Sequence, residues 1–329
     1  MLGSTVWGCR TTWLVLSFVA ATCLLFQSPP LLPGLFLSYS SFVGDLAASL
    51  AGALSPYAAL SQPALAFALG TTFLLEATFW SCNAVLGLIY YFDPALLKPY
   101  KLHEDKFPPA ALIRSCLADV VIGHAVVRPP LLYLTHSLFL RFGMSASPSE
   151  IPPLATIYLQ LFASILVDDT LFYWSHRMLH HPAIYKHIHK QHHTFKYTIG
   201  IATEYCHPVE DFFSNILSTT AGPLLMGSHE SVLWLYLNLK LWQSIDAHSG
   251  YNFPFPVSPF SVLRSMDCAP AHDYHHSHNA GNFGGFFIFW DWVCGTDVKY
   301  SAHLEKNRDK DAYWNVVGGG AGEGGAKTT

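Results

Sequence analysis

The sequence predicts an all-α fold: a membrane-embedded helical anchor carrying a cytosolic, histidine-rich helical domain that holds two metal ions. Three observations lead there. Of 329 residues only 12% are charged and 51% are hydrophobic, about half the charge of an ordinary soluble domain. Apolar stretches long enough to cross a bilayer recur through the first half of the chain. Fourteen of the 18 histidines fall between His176 and His278.

Residues 1–64 form an N-terminal apolar region. No charged residue occurs from 11 to 44 or from 46 to 75. Thr12–Phe26, behind Arg10, reads equally as a signal peptide, a signal anchor or an ordinary span. Residues 65–174 form the anchor, because a hydrocarbon core ~30 Å thick needs about 20 apolar residues in a helix. Its stretches are Leu65–Phe92, broken by Glu76; Leu117–Leu140, with a kink expected at Pro129-Pro130; and Pro153–Trp174, which carries Asp168 and Asp169. Lys98, Lys101, Lys106 and Arg114 fall between the first two of these, and a hairpin of the last two brings Arg177, Lys186 and Lys190 to the same side. Basic short loops face the cytoplasm.

Residues 175–305 form the histidine domain. Within it Asn215–Trp242 is apolar but interrupted at Gly222-Pro223 and Gly227–Glu230, which predicts a pair of short re-entrant or interfacial helices. Residues 306–329 are charged, then glycine-rich, and are expected to be disordered. The GxGxxG match at 320–325 lacks a preceding strand and following helix, so it carries no dinucleotide site. A net charge of −4 without a basic run argues against nucleic acid as a partner. Seven scattered cysteines without a CxxC pair are neither a disulfide framework nor a zinc finger.

Three boxes carry the chemistry: His176-Arg-Met-Leu-His180-His181, His189-Lys-Gln-His192-His193 and His272-Asp-Tyr-His275-His276. On a helix, residues three and four apart share a face, so each box is expected to present its imidazoles together. Converging, they offer more nitrogens than one ion accepts, which favours two metals. The absence of cysteine from every box argues against a closed structural zinc site. Imidazole suits iron, zinc, copper and nickel; iron is the first choice and zinc the substitute. His248 is expected as a further ligand. His207 is either a ligand or the orienting partner of one. His103, His124, His136, His187, His229, His278 and His303 read as packing or surface residues. A ligating imidazole donates its other N–H to a carboxylate or carbonyl; Asp169, Glu204, Glu210, Asp211, Asp246 and Asp273 are candidates, with Asp169 on the helical stripe of His176. A membrane metal transporter or buffer would instead place such ligands mid-span, whereas here the boxes follow the spans.

Several segments resemble the fatty acid hydroxylase/sterol desaturase superfamily of membrane di-metal oxygenases. They are Asp169-Thr-Leu-Phe-Tyr-Trp-Ser-His176-Arg, Ile184-Tyr-Lys-His-Ile-His189-Lys, Gly200-Ile-Ala-Thr-Glu204-Tyr-Cys-His207-Pro, His248-Ser-Gly-Tyr, His272-Asp-Tyr-His-His276 with Gly281-Asn-Phe, and Trp290-Asp-Trp-Val-Cys-Gly295-Thr-Asp. The likeness covers residues 106–305 and leans to the C-4 methylsterol monooxygenase branch. It implies a four-helix anchor in the endoplasmic reticulum membrane and a cytosolic site. It further implies two iron ions, O2 as oxidant, and electrons from NAD(P)H through cytochrome b5 and its reductase. Its implied substrate is a sterol oxidised at a C-4 methyl group. Sterol side-chain hydroxylation, C-5 desaturation and fatty-acyl hydroxylation are the alternatives, and His248-Ser-Gly-Tyr-Asn-Phe-Pro is also similar to cholesterol 25-hydroxylases. Asp169 and Glu204 would orient the ligands. No flavin, haem or nicotinamide motif is present, in keeping with electrons arriving from a separate protein.

Overall fold

A computed structural model describes residues 62–104, 106–253 and 268–307, with isolated positions 45, 49, 258 and 260. The stretch Thr12–Phe26 and the glycine-rich tail lie outside the described residues. Within them the chain is helical without a strand; one antiparallel bridge joins Lys101 to Tyr251. Three helical runs among the described residues are long and apolar enough to cross a membrane.

The first, α1 (Gln62–Phe92), has 31 residues, or about 46 Å at 1.5 Å per residue. The second is α2 (Ala110–Ile122), a π turn (Gly123–Val127) and α3 (Arg128–Arg141) in one continuous run. Pro129 and Pro130 have no N–H to give the preceding turn. The break expected there takes the form of the π turn, in which the Arg128 N–H reaches back to the Gly123 carbonyl. The third, α4 (Leu154–Leu179), continues past Trp174 and carries His176 in its last turn. Phe73, Val85 and Leu88 on α1, Val121, Val126 and Leu134 on α2–α3, and Leu159 and Leu166 on α4 are all exposed. So much bare apolar surface suits lipid rather than water. The chain is a membrane protein.

The interrupted apolar segment is two helices. A π turn (Asp211–Ile216) leads into α5 (Leu217–Leu225), and α6 (Glu230–Ala247) follows the Met226–His229 turn. α5 lies against α4 at Gly222, where a Cβ would stand 2.7 Å from the Ser164 Cα. α6 lies against α1, tied by Trp234 Nε1 donating to Thr71 Oγ1 at 2.9 Å and Thr78 Oγ1 donating to Asn238 Oδ1 at 2.5 Å. The main core joins α1, α2 and α6 to the 195–205 loop through Phe79, Leu86, Val120, Phe195, Ile199 and Ile245. Three further helices follow α6: α7 (Cys268–His278), α8 (Phe289–Cys294) and α9 (Val298–Asn307).

Candidate metal centre

Nine histidines converge in two groups. His176, His180, His189, His193 and His275 form one; His192, His248, His272 and His276 form the other. Within each group every ligand nitrogen lies within 4.8 Å of the rest. α4 supplies His176 and its C-cap His180; the turns up to His192–Thr194 supply His189, His192 and His193; His248 caps the end of α6; and α7 supplies the remainder.

The boxes are not one-faced units as expected. On α7, His272 and His276 are one turn apart and point to the second group, while His275, a step round the helix, enters the first. Box two is not one helix: His189–Gln191 form irregular turns and only His192–Thr194 is a 3-10 turn, so helical spacing does not set the direction of its side chains. It sends His189 and His193 to the first group and His192 to the second.

His181 and His207, expected among the ligands, stand outside both groups. Each precedes a proline, which drives its backbone to the extended region. Each then caps the following turn: His181 Nδ1 accepts the Ala183 N–H at 3.3 Å, and His207 Nδ1 the Val209 N–H at 3.2 Å.

The proton pattern in the groups calls for cations. His192 Nδ1 donates to the Tyr205 carbonyl at 3.2 Å and His248 Nδ1 to the Ser244 carbonyl at 2.8 Å. A neutral imidazole has one N–H, so both Nε2 atoms are bare, and they face each other at 3.4 Å. His272 Nε2 lies 3.0 Å from the His248 Nε2. The buried His276 Nε2 has no hydrogen-bond partner at all, its Nδ1 being used on the Phe195 carbonyl. In the first group, Nε2 atoms meet at 3.0–3.1 Å: His176 with His189, His189 with His193, His193 with His275, and His275 with His180. Nitrogens ~2.1 Å from a shared ion and at right angles stand about 3.0 Å apart. The donor set therefore fits two metal ions, one with five nitrogens and one with four.

Electrostatics agrees. Burial holds the pKa of His192 down to about 4, His248 to about 3 and His180 to about 2. Burial and neighbouring imidazoles push His189, His193, His272, His275 and His276 well below the ordinary value. These side chains are neutral near pH 7, the state in which imidazole binds metals.

The carboxylates serve differently from the expectation. Asp169 touches no imidazole; its Oδ1 accepts the N–H groups of Phe286 and Phe287, each at 2.9 Å. Glu204 pairs with Arg128 at 3.1 Å and His124 at 3.6 Å. Burial alone would raise Glu204, but Arg128 and His124 outweigh it and hold the acid at about 2. The carboxylate that reaches a ligand is Glu210, whose Oε1 lies 2.8 Å from His189 Nδ1 in a contact too bent for a regular hydrogen bond. Asp211 accepts from Asn215 at 3.0 Å, Asp246 from Ser258 at 3.0 Å, and Asp273 lies 2.6 Å from His103 Nε2. The main acceptors of ligand N–H groups are backbone carbonyls, namely Phe283, Gly281, Tyr205, Ser244 and Phe195. No side-chain motif marks these.

An ion-pair network that sequence reasoning missed ties the middle of α1 to the π turn, the start of α3 and Glu204. Arg128 joins Glu76 Oε1 at 2.9 Å to Glu204 Oε2, and His124, read as a packing residue, lies 2.9 Å from Glu76 Oε1. The intramembrane Glu76 was the available signal.

The fatty acid hydroxylase family model matches residues 161–296, the stretch that contains all nine converging histidines. Methylsterol monooxygenase 2-2 of Arabidopsis thaliana is 33% identical over 235 residues, covering 70% of this chain and 86% of the relative. Methylsterol monooxygenase 1 of Rattus norvegicus is 32% identical, covering 71% and 78%. Very-long-chain aldehyde decarbonylase GL1-11 of Oryza sativa subsp. indica is 33% identical, covering 70% and 85%. No solved structure matches. With histidines paired off at metal-ligand spacing and this extent of likeness, the chain belongs to the fatty acid hydroxylase family of membrane oxidoreductases.

Proposed function

We propose that this protein is an O2-dependent, non-haem di-iron oxidase of the endoplasmic reticulum membrane that oxidises a C-4 methyl group of 4-methylsterols. The observation that carries the reading is the gathering of five and four imidazoles, all buried except the half-buried His180, at the C-terminal end of a lipid-facing helix, in a chain similar to methylsterol monooxygenases. His176, His180, His189, His193 and His275 would hold one ion, and His192, His248, His272 and His276 the other. Iron bound there would supply the reduction of O2 and the oxidation of an unactivated C–H bond. The protein keeps the imidazoles neutral by burial, and backbone carbonyls hold their Nδ1 protons away from the metal. Asp169 and Glu204 act one step back, fixing the loops that present those carbonyls. The buried setting excludes water from the reacting centre. The basic connection after α1, with Lys98, Lys101 and Lys106, faces the cytosol with the histidine domain. Electrons from NAD(P)H arrive there through cytochrome b5 and its reductase.

The aldehyde decarbonylase relatives match equally well, which favours a second reading: oxidation of a long-chain acyl lipid by the same centre. Membranes expressing the protein, supplied separately with 4,4-dimethylsterol, other sterols, acyl lipids and long-chain aldehydes, decide between them by mass spectrometry of the products. A C-4 hydroxymethyl or carboxyl sterol supports the first reading, and a product from the acyl chain alone overturns it. Purified protein without bound iron, or without the capacity to take it up, overturns both.

A further inference from the structure

We propose that Asp291, on α8, is a positioning residue for the five-histidine metal position and leaves the four-histidine position untouched. The inference rests on the di-metal reading above. It starts from the loop between α7 and α8, which presents two carbonyls to that group alone: Gly281 to His275 Nδ1, and Phe283 to His176 Nδ1 at 2.9 Å. The acceptors of the other group, Tyr205, Ser244 and Phe195, lie elsewhere in the chain.

Such a loop does not hold itself. Asn279, Gly281 and Asn282 all have positive φ, a sharp path that costs the two asparagines conformational energy. Asp291 supplies the opposing hold. It is fully buried, and its carboxylate accepts the Phe283 N–H and the Gly284 N–H at 2.8 Å each and the Thr296 hydroxyl at 2.6 Å. Thr296 completes the unit by accepting the Asn282 N–H on its carbonyl at 3.2 Å. Gly281 lies so close to that carbonyl that a Cβ would collide with it. Three donors converge on one carboxylate, and the two backbone ones stand on either side of the Phe283 carbonyl that orients His176. An asparagine cannot replace it, because its NH2 would oppose one of the N–H donors.

The test is a Co2+ titration of metal-stripped, full-length protein in detergent, followed by visible absorption and metal analysis. The wild type takes two ions. Asp291→Asn is expected to weaken one of them 10–100-fold, the usual effect of losing an outer partner of a metal ligand, and to leave the other unchanged. In a His248→Ala background, which disables the four-histidine position, Asp291→Asn is expected to weaken the single remaining ion by the same factor. Thr296→Val removes one of the three donors and is expected to give a smaller weakening confined to the same ion; it also decides the matter if Asp291→Asn does not accumulate. Two ions at wild-type affinity in the variants, or equal weakening of both, overturns the proposal. A wild type that takes up no metal overturns the di-metal reading instead.

Discussion

Replacing Arg128 by Met tests the intramembrane network most sharply. Arg128 Nη1 and Nη2 bridge Glu76 and Glu204 at 2.9 and 3.1 Å, and all three side chains are largely removed from water, at 17–25% exposure. Each contact is worth about 5 kcal/mol of Coulomb energy at an effective dielectric of ~20. Most of that is offset by desolvation, but both carboxylates stay largely buried when Arg128 goes, with His124 alone left to serve the two of them, and stranding a buried charge costs about 3–5 kcal/mol. Glu76 is the 15th of 31 residues in α1, so it cannot reach an aqueous surface by a small shift. Arg128→Met is therefore expected to lose about 3–5 kcal/mol in an SDS or thermal unfolding assay in mixed micelles. Adding Glu76→Gln removes one of the two stranded charges and is expected to restore at least half of the loss. A cost below about 1 kcal/mol, the scale of a solvent-exposed pair, would refute the argument, as would absence of rescue by Glu76→Gln.

Other outcomes are expected. His192→Ala leaves the protein in the membrane fraction but removes an ion from the four-histidine position; elemental analysis at two ions per chain would contradict the assignment. In the metal-free protein the buried histidines are neutral when folded and titrate near 6.5 when unfolded. Their contribution is thus fully present above pH ~6.5 and lost as the pH falls toward the folded values of about 4 for His192 and about 3 for His248. Stability measured from pH 8 to 4.5 should stay level to about 6.5 and then decline, and a level curve throughout would count against buried neutral imidazoles. Gly222→Ala places a methyl 2.7 Å from the Ser164 Cα and is expected to cost about 1–3 kcal/mol of stability by forcing α4 and α5 apart; an unchanged unfolding midpoint would show that the helices separate freely.

Much of this protein is legible as one-dimensional pattern. Spans announce themselves because lipid forbids unpaired polar groups over some twenty residues, so α1, α2–α3 and α4 were visible in the scarcity of charge. The candidate metal centre was visible because imidazoles are seldom crowded without a cation to hold them. Partition of those imidazoles was not legible. HxxHH reads as one face of a helix, yet box two folds as irregular turns that end in a 3-10 turn at His192–Thr194, and one step around α7 separates His275 from His272 and His276. His181 and His207 share the composition of the boxes, and only the proline after each turns them into caps.

Composition and spacing by themselves determined that the chain is helical, lipid-bound and rich in clustered metal-ligand residues, since hydrophobicity and ligand chemistry are properties of residue types. The tertiary structure alone decided which five histidines and which four come together, that backbone carbonyls rather than Asp169 or Glu204 take their Nδ1 protons, and that Arg128 stitches two largely buried acids together. Those are matters of direction and distance between segments up to 107 residues apart, as between His176 and Phe283. They exist only once packing has set the segments side by side.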